Sequence, residues 1–379
     1  MNKHTRETAR DAVGMPLPPV SVVEIANRFR NLVGRSHSKM QPPFALVLER
    51  LFGLIDNKML GIMVELQIPD LLNGAPKSAE ELARDTGTDA DSLDRVLRFL
   101  VSRDLLGITA DGRYENSAAS DILRRDHPYS WAGWVRFFAS EWNWDIWKAA
   151  THSLTEGPGA AETALKVSFF DYLNGNPDAA TAFNQAMQSG STMQGLLVQE
   201  TYDFSGVRHL CDVGGGTGGV LGQLLMANPQ MRGTLFELPP VAQQARDHLG
   251  SLDLLGRCEV VGGDFFESVS VTADIYTLFA VIHDWGDEQA ATILRNIRAS
   301  MPADARVLAI EGVVPEHSHY NFSKASDLLM LMYSDSGRER TMQQFEDLFA
   351  RAGFVVQRVL KLPSLFRVFE LRASERDLR

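Results

Sequence analysis

The chain has 379 residues, of which 45 % are apolar and 22 % charged, the composition of a folded globular protein rather than a disordered one. Its formal net charge of −11 and pI near 5.3 argue against a polyanionic partner such as nucleic acid. The two cysteines, Cys211 and Cys258, each sit in a short apolar run, which excludes a disulfide framework or a cysteine zinc site and fits a reducing compartment.

The length exceeds one ordinary core, so two domains are expected. No apolar run reaches the roughly 18 residues that span a bilayer, and Met1–Ala12 lacks the apolar centre of a signal peptide. Arg6 and Arg10 hint at an organellar presequence, but Glu7 and Asp11 weaken the idea, and a cytoplasmic protein without membrane contact is expected. A short frayed or swapped helix is expected ahead of Pro16, Pro18 and Pro19, within an extension, residues 1–43, that carries no assigned role. From about Ala45 the spacing is helical: Leu48, Leu51, Phe52 and Ile55 follow the i, i+3, i+4, i+7 pattern, and Met59 to Leu66 continue it. Ser78 with Glu81 forms a capping box that opens a helix, Gly87 ends it, and Thr88 or Asp89 opens the next. Leu105–Ile108, a turn at Asp111-Gly112 and Arg113–Glu115 then read as a two-stranded wing, so the whole is a winged helix.

After Leu210 the period changes. Strands are predicted at His209–Val213, Gly233–Phe236, Cys258–Val261, Ile275–Phe279 and Val307–Ile310, with helices such as Val220–Ala227, Val241–Leu249 and Glu288–Ser300 between them. Such alternation implies a mostly parallel sheet with right-handed crossovers. Phe354–Leu360 and Phe366–Leu371 have no helix between them and are expected to form an antiparallel hairpin at the sheet edge.

The first of these strands runs into Asp212-Val213-Gly214-Gly215-Gly216-Thr217-Gly218-Gly219, a glycine turn whose backbone N–H groups can approach a nucleotide-like ligand with no Cβ in the way. Gly214, Gly216 and Gly219 also satisfy the dinucleotide spacing, so a nicotinamide dehydrogenase is the rival. Glu237, after the second strand, is placed to take ribose hydroxyls in either case. Asp212 favours a cationic ligand over a pyrophosphate, and Gly262-Gly263-Asp264-Phe265 offers an acid and a ring to an adenine.

These motifs resemble the plant caffeate and bacterial small-molecule O-methyltransferase family, which uses S-adenosylmethionine. The matching residues are Asp212–Gly218, Phe236-Glu237-Leu238-Pro239, Gly263-Asp264-Phe265-Phe266, His283-Asp284-Trp285, Glu311 and Gly337-Arg338-Glu339-Arg340-Thr341; upstream, Phe169–Leu173 and Ala182–Met187 match the linker helices. The resemblance covers about residues 45–372 and fits the family but no particular substrate. It implies a Rossmann-like α/β methyltransferase domain preceded by a mainly α winged-helix dimerisation domain. The expected parts are the extension 1–43, the dimerisation domain 44–135, linker helices 136–200 that line the substrate pocket, and the methyltransferase domain 201–379.

Carried over by position, the resemblance makes Gly214 and Gly216 turn glycines, Glu237 the ribose ligand, Asp264 and Phe265 the adenine contacts and Trp285 their flank. Ser191 matches a contact to the cofactor's methionine portion, and Phe279 stands where plant members carry a lysine. His283 is the candidate general base, because it follows the fourth strand at the sheet's carboxyl edge and a phenol needs deprotonation before it attacks a methyl group. Glu311 and Glu339 occupy the family's two positions for orienting the imidazole, although Glu339 among arginines also reads as a plain ion pair. Phe170, Met187, Trp144, Asp327, Met330 and Ser334 fall near pocket-lining positions, with ordinary core the alternative for each apolar one. The implied products are a methyl ether and S-adenosylhomocysteine, with no metal, and the implied assembly is a homodimer.

A winged helix invites a DNA-binding reading, but Glu80–Arg98 holds Glu80, Glu81, Asp85, Asp89, Asp91 and Asp94 against Arg84, Arg95 and Arg98, which repels phosphate. A nearer rival keeps the fold and the bound cofactor but decarboxylates, hydroxylates or rearranges its ligand, or methylates nitrogen or carbon.

Overall fold

A computed structural model of the protein describes residues 20–157, 159–317 and 320–374. The helix expected ahead of Pro16 lies outside the described residues. Two compact units form, one from residues 36–149 and 162–190, the other from 20–35, 150–161 and 191–374.

In the first unit, Ser78 and Glu81 make the reciprocal capping box ahead of helix Ala79–Thr86, which ends at Gly87 in the left-handed conformation. Of the two alternatives for the next cap it is Asp89 whose carboxylate accepts the Ser92 N–H, opening helix Ala90–Ser102. Strands β1 (Gly107–Ile108) and β2 (Tyr114–Glu115) pair antiparallel as the wing, and Tyr114 also pairs with Lys77, a rung the sequence did not announce. Leu82, Leu97 and Leu100, all fully buried, centre this unit's core.

The helix expected to run unbroken through Phe52 is instead two, Pro43–Leu51 and Gly53–Glu65, meeting at Phe52. The glycine after Phe52 weakens the helical run at that point. No residue of Pro43–Leu51 is buried, and Phe44, Leu51 and Phe52 are each more than half exposed. An unexpected helix, Val20–Met40, precedes it, with Val22, Ile25, Phe29, Leu32 and Val33 on an exposed apolar stripe. The i, i+3, i+7 spacing of that stripe was present in the sequence and is the signal that would have found it.

The second unit is an α/β fold on a seven-stranded sheet in the order β5-β4-β3-β6-β7-β9-β8, where β3 is His209–Val213, β4 Arg232–Glu237, β5 Cys258–Gly262, β6 Ile275–Phe279, β7 Arg306–Gly312, β8 Phe354–Lys361 and β9 Phe366–Ala373. The first five are parallel, and β9 and β8 close the edge as the expected antiparallel hairpin. Both faces are covered, so alternate residues of one strand serve different cores. Cys211, Tyr276, Leu278, Val307 and Ala309 pack on one side, and Leu210, Ile275, Leu308 and Ile310 on the other. The parallel strands end together, which brings Gly214, Glu237, Gly263, Ala280 and Gly312 to one edge.

Candidate active site

The bend after β3 is held by backbone geometry. Gly214, Gly216 and Gly218 have φ of +70°, +58° and +82°, conformations that side-chain-bearing residues rarely adopt. A Cβ on Gly214 would sit 3.1 Å from Val281 and 3.3 Å from Phe265, and one on Gly215 would run into the Asp212 carboxylate; at Gly216 nothing lies within 4 Å, so the bend opens there onto free space. Glu237 ties β4 to the bend, since its Oε2 accepts the Gly216 N–H at 2.9 Å and its Oε1 accepts the Leu238 N–H at 2.8 Å. Each oxygen keeps a further lone pair for a ligand hydroxyl. This set of open glycine backbone and anchored carboxylate fits a nucleoside ligand.

Asp212 is placed differently from the expectation that it faces a cationic ligand. It is fully buried beneath the bend, with Oδ1 accepting the Thr277 hydroxyl at 2.7 Å and Oδ2 without a partner. Burial pushes its carboxyl up to about 6, against the Thr277 hydrogen bond that pulls it down. Asp264 Oδ1 caps its own turn through the Phe266 N–H at 2.8 Å. Phe266 and Trp285 meet edge to face at 4.7 Å, with Phe265 6.0 Å from the same indole, and Asn296 fixes the turn through the carbonyls of Phe265 and Phe266. Asn296 was missed in the sequence, where it reads as one polar residue of an amphipathic helix. Phe279 packs on Phe366 with centroids 5.1 Å apart, and Ser191 lies part-buried on helix Pro177–Thr201.

The other half of the edge carries His283. β6 ends at Phe279 and is followed by Ala280, whose φ of +51° is unusual for a residue with a Cβ and costs about 1 kcal/mol. That turn points the next two N–H groups, of Val281 and Ile282, at Glu311 Oε1, which accepts them at 3.1 and 2.8 Å. His283 follows on a single 3₁₀ turn, Ile282–Asp284, its side chain 14 % exposed. Nδ1 lies 3.0 Å from Glu339 Oε1 and 3.9 Å from Glu311 Oε2, while Nε2 has, among the described residues, only Asp284 Oδ1 at 3.6 Å as a polar partner. The two acids therefore act in different ways: Glu339 bonds the ring, and Glu311 bonds the backbone that carries it.

Burial alone would push the imidazole's pKa down. The Asp284 charge, the Glu339 hydrogen bond and the Glu311 and Glu339 charges outweigh it and raise the value to about 10. Burial likewise raises Glu311 to about 7, although the histidine opposes it. Donor atoms of His283, Glu311 and Glu339 lie within 4.8 Å of one another, a spacing a cation could also bridge.

The segment from Gly337 grips this turn from outside. Arg338 N–H donates to the His283 carbonyl at 2.7 Å, and the buried Arg340 guanidinium donates to the carbonyls of Ile282 and Trp285 and to Asp287. Glu339 is thus one of several contacts from one segment, and it pairs with His283 while its neighbour Arg340 pairs with Asp287.

Of the expected substrate-side residues, Asp327, Met330 and Ser334 belong to this unit. Asp327 Oδ1 accepts the Glu339 N–H at 2.9 Å, and Ser334 donates to the Asp284 carbonyl at 3.0 Å while accepting the Gly337 N–H. Met330 is part-buried. Phe170, Met187 and Trp144 belong to the helical unit. Phe170 meets Phe169 and Phe183 edge-on, Met187 is part-buried, and Trp144 lines a cavity of about 530 Å³ together with Leu54, Ile55 and Met59.

Residues 147–355 match the model of an O-methyltransferase domain, and residues 48–126 that of an O-methyltransferase dimerisation domain. A phenazine O-methyltransferase of Lysobacter antibioticus is 36 % identical over 332 residues, 87 % of this chain and 96 % of its own. A phenazine-1-carboxylate N-methyltransferase of Pseudomonas aeruginosa is 34 % identical, over 80 % of this chain and 89 % of its own. Among solved structures, an O-methyltransferase of neocarzinostatin biosynthesis, in complex with S-adenosylmethionine and 2-hydroxy-5-methyl naphthoic acid, superposes with a TM-score of 0.68 at 30 % identity, covering 84 % of this chain and 96 % of that one. The chain belongs to the O-methyltransferase family, with that family's dimerisation domain ahead of its methyltransferase domain.

Proposed function

We propose that the protein transfers a methyl group from S-adenosylmethionine to a phenolic hydroxyl of an aromatic or polyketide-like small molecule, with His283 as general base and Glu339 and Glu311 as its orienting carboxylates. The observation that carries this reading is the asymmetry of the imidazole: Nδ1 is engaged by Glu339 at 3.0 Å, whereas Nε2 has a looser partner, Asp284 Oδ1 at 3.6 Å. When bound, S-adenosylmethionine supplies an electrophilic methyl on a positively charged sulfur and leaves as S-adenosylhomocysteine. The bend at Gly214 and Gly216, Glu237, Asp264, Phe265 and Trp285 would hold it, supported by the open backbone at Gly216 and the anchored Glu237 carboxylate. His283 Nε2 takes the acceptor's hydroxyl proton as its oxygen attacks the methyl, and Glu339 steadies the imidazolium that results.

A pKa near 10 means the resting imidazole is protonated at neutral pH. A cationic ligand within reach of the ring lowers that value and favours the neutral base. Methyl transfer is therefore expected to climb with pH. In this reading the chemistry uses no metal, the 48–126 region pairs two copies of the chain, and the exposed apolar residues of Pro43–Leu51 belong to that pairing. The parts are the extension 1–43, the pairing domain 44–135, the linker helices 136–200 and the transfer domain 201–379, in a cytoplasmic protein without nucleic-acid or membrane partners. No described helix is long and apolar enough to cross a membrane.

The N-methylating relative favours a second reading, in which the acceptor atom is an aromatic nitrogen. One screen separates the two. The protein is incubated with methyl-labelled S-adenosylmethionine and matched sets of phenols, naphthols, phenazines and aromatic amines, and product masses are recorded. Label is expected in hydroxylated acceptors; label confined to amines would select the second reading, and none in either set would overturn both.

A further inference from the structure

Glu339 is the carboxylate that meets the imidazole, yet nothing in its own segment fixes the rotation of its side chain. The restraint comes from helix Phe322–Tyr333. Ser326, buried on that helix, donates its hydroxyl to Glu339 Oε1 at 2.7 Å, the same oxygen that faces His283 Nδ1. The next residue, Asp327, accepts the Glu339 backbone N–H at 2.9 Å. One turn earlier, Ser323 is fully buried on the same helical face. Its Oγ lies 3.4 Å and Glu339 Oε2 3.0 Å from where a Cβ on Gly312 would stand, so any side chain at residue 312 would crowd the carboxylate.

We propose that Ser326 and Asp327 are positioning residues: together they lock backbone and carboxylate of Glu339, and through Oε1 they fix which nitrogen of His283 keeps its proton when the ring becomes neutral. The proposal rests on the reading of His283 as the base. Its physical basis is that a carboxylate with one donor can rotate and exchange its oxygens, whereas two donors on the same oxygen, with the main chain pinned beside it, leave one orientation. The Nδ1 proton is then held toward Glu339 and Nε2 is kept for the acceptor. Ser326 does not touch Nε2, so its effect passes entirely through Glu339.

The test reads that proton directly. The full chain is labelled with ¹⁵N-histidine, and the His283 signal, one of nine histidines, is assigned by its loss in His283→Gln. Solvent exchange of the Nδ1 proton is then measured. In Ser326→Ala it is expected to be roughly three- to tenfold faster, the effect of losing one hydrogen bond. Ser326→Thr, which keeps the hydroxyl, stays near the parent rate. Asp327→Ala speeds exchange, and Asp327→Asn, which keeps the accepting oxygen, does not. S-adenosylhomocysteine affinity, measured by calorimetry, should be unchanged in all four, which separates positioning from misfolding. Parental exchange in Ser326→Ala, with His283→Ala inactive in the methyl-transfer screen, overturns the proposal and leaves the base intact. Full methyl transfer by His283→Ala removes the base reading and this role with it.

Discussion

On the β3–β4 side of the sheet edge the geometry is carried by backbone: three glycines at positive φ, and a glutamate whose two oxygens accept main-chain N–H groups. On the β6–β7 side it is carried by side chains from three separate segments. Glu311 lies 29 residues from the Ile282 N–H it accepts, and Glu339 lies 56 residues from His283. A site half written in local conformation and half in long-range contacts answers to mutation in two ways. On the proposed reading, the glycine half is expected to fail by distortion and loss of ligand binding, and the imidazole half by loss of chemistry with the frame intact.

The sharpest break between the halves is His283→Ala. Methyl transfer is expected to fall about 10²–10⁴-fold. Binding of S-adenosylhomocysteine, read by calorimetry, should survive, since no contact of the glycine bend is touched; loss of binding with loss of turnover would merge the two halves into one. Next comes Glu339→Gln, measured as a pH–rate profile with an acceptor returned by the screen. Turnover is expected to fall about ten- to a hundredfold, less than the roughly 10⁴-fold known for a catalytic-triad carboxylate, because Glu311 still holds the turn. The sign of the pH effect is fixed: Glu339 helps to raise the imidazole's pKa, so its neutralisation moves the rising limb to lower pH. A limb that stays in place would mean the acid does not interact with the histidine in solution. The smallest change is on the other half. Gly215→Ala sets a methyl against the Asp212 carboxylate and 2.6 Å from Leu235, and should cost about 1–3 kcal/mol of stability. Thermal unfolding and cofactor affinity report it together, and an unchanged Tm would show that the bend has slack.

The same division decides what was legible in the sequence. β3 and β6 were foreseen at their observed ends, because an apolar run cut off by glycines or a charge is a local signal. The winged helix was legible for the same reason, down to the capping box at Ser78. His283 could be singled out by its place after a strand, but not the division of labour between Glu311 and Glu339, since a hydrogen bond across 56 residues leaves no periodic trace. Asp212 was expected beside the ligand and lies under the bend, because spacing gives the turn but not the side to which a carboxylate rotates. Ser326 and Asn296 were invisible: each is one polar residue in a helix until the fold supplies its partner. The helix Val20–Met40, which begins directly after Pro18 and Pro19, was legible in its i, i+3, i+7 apolar spacing.

Arg340 has a consequence beyond its own bonds. Its planar fork meets Ile282 O, Trp285 O and Asp287 at once, so the loop bearing the imidazole is set by a rigid bracket. The bracket is complete before any acceptor arrives, so little reorganisation is left for the moment of reaction. On the proposed reading, new acceptors can then be accommodated by altering the walls around the loop, generation after generation, while the imidazole keeps its bearing.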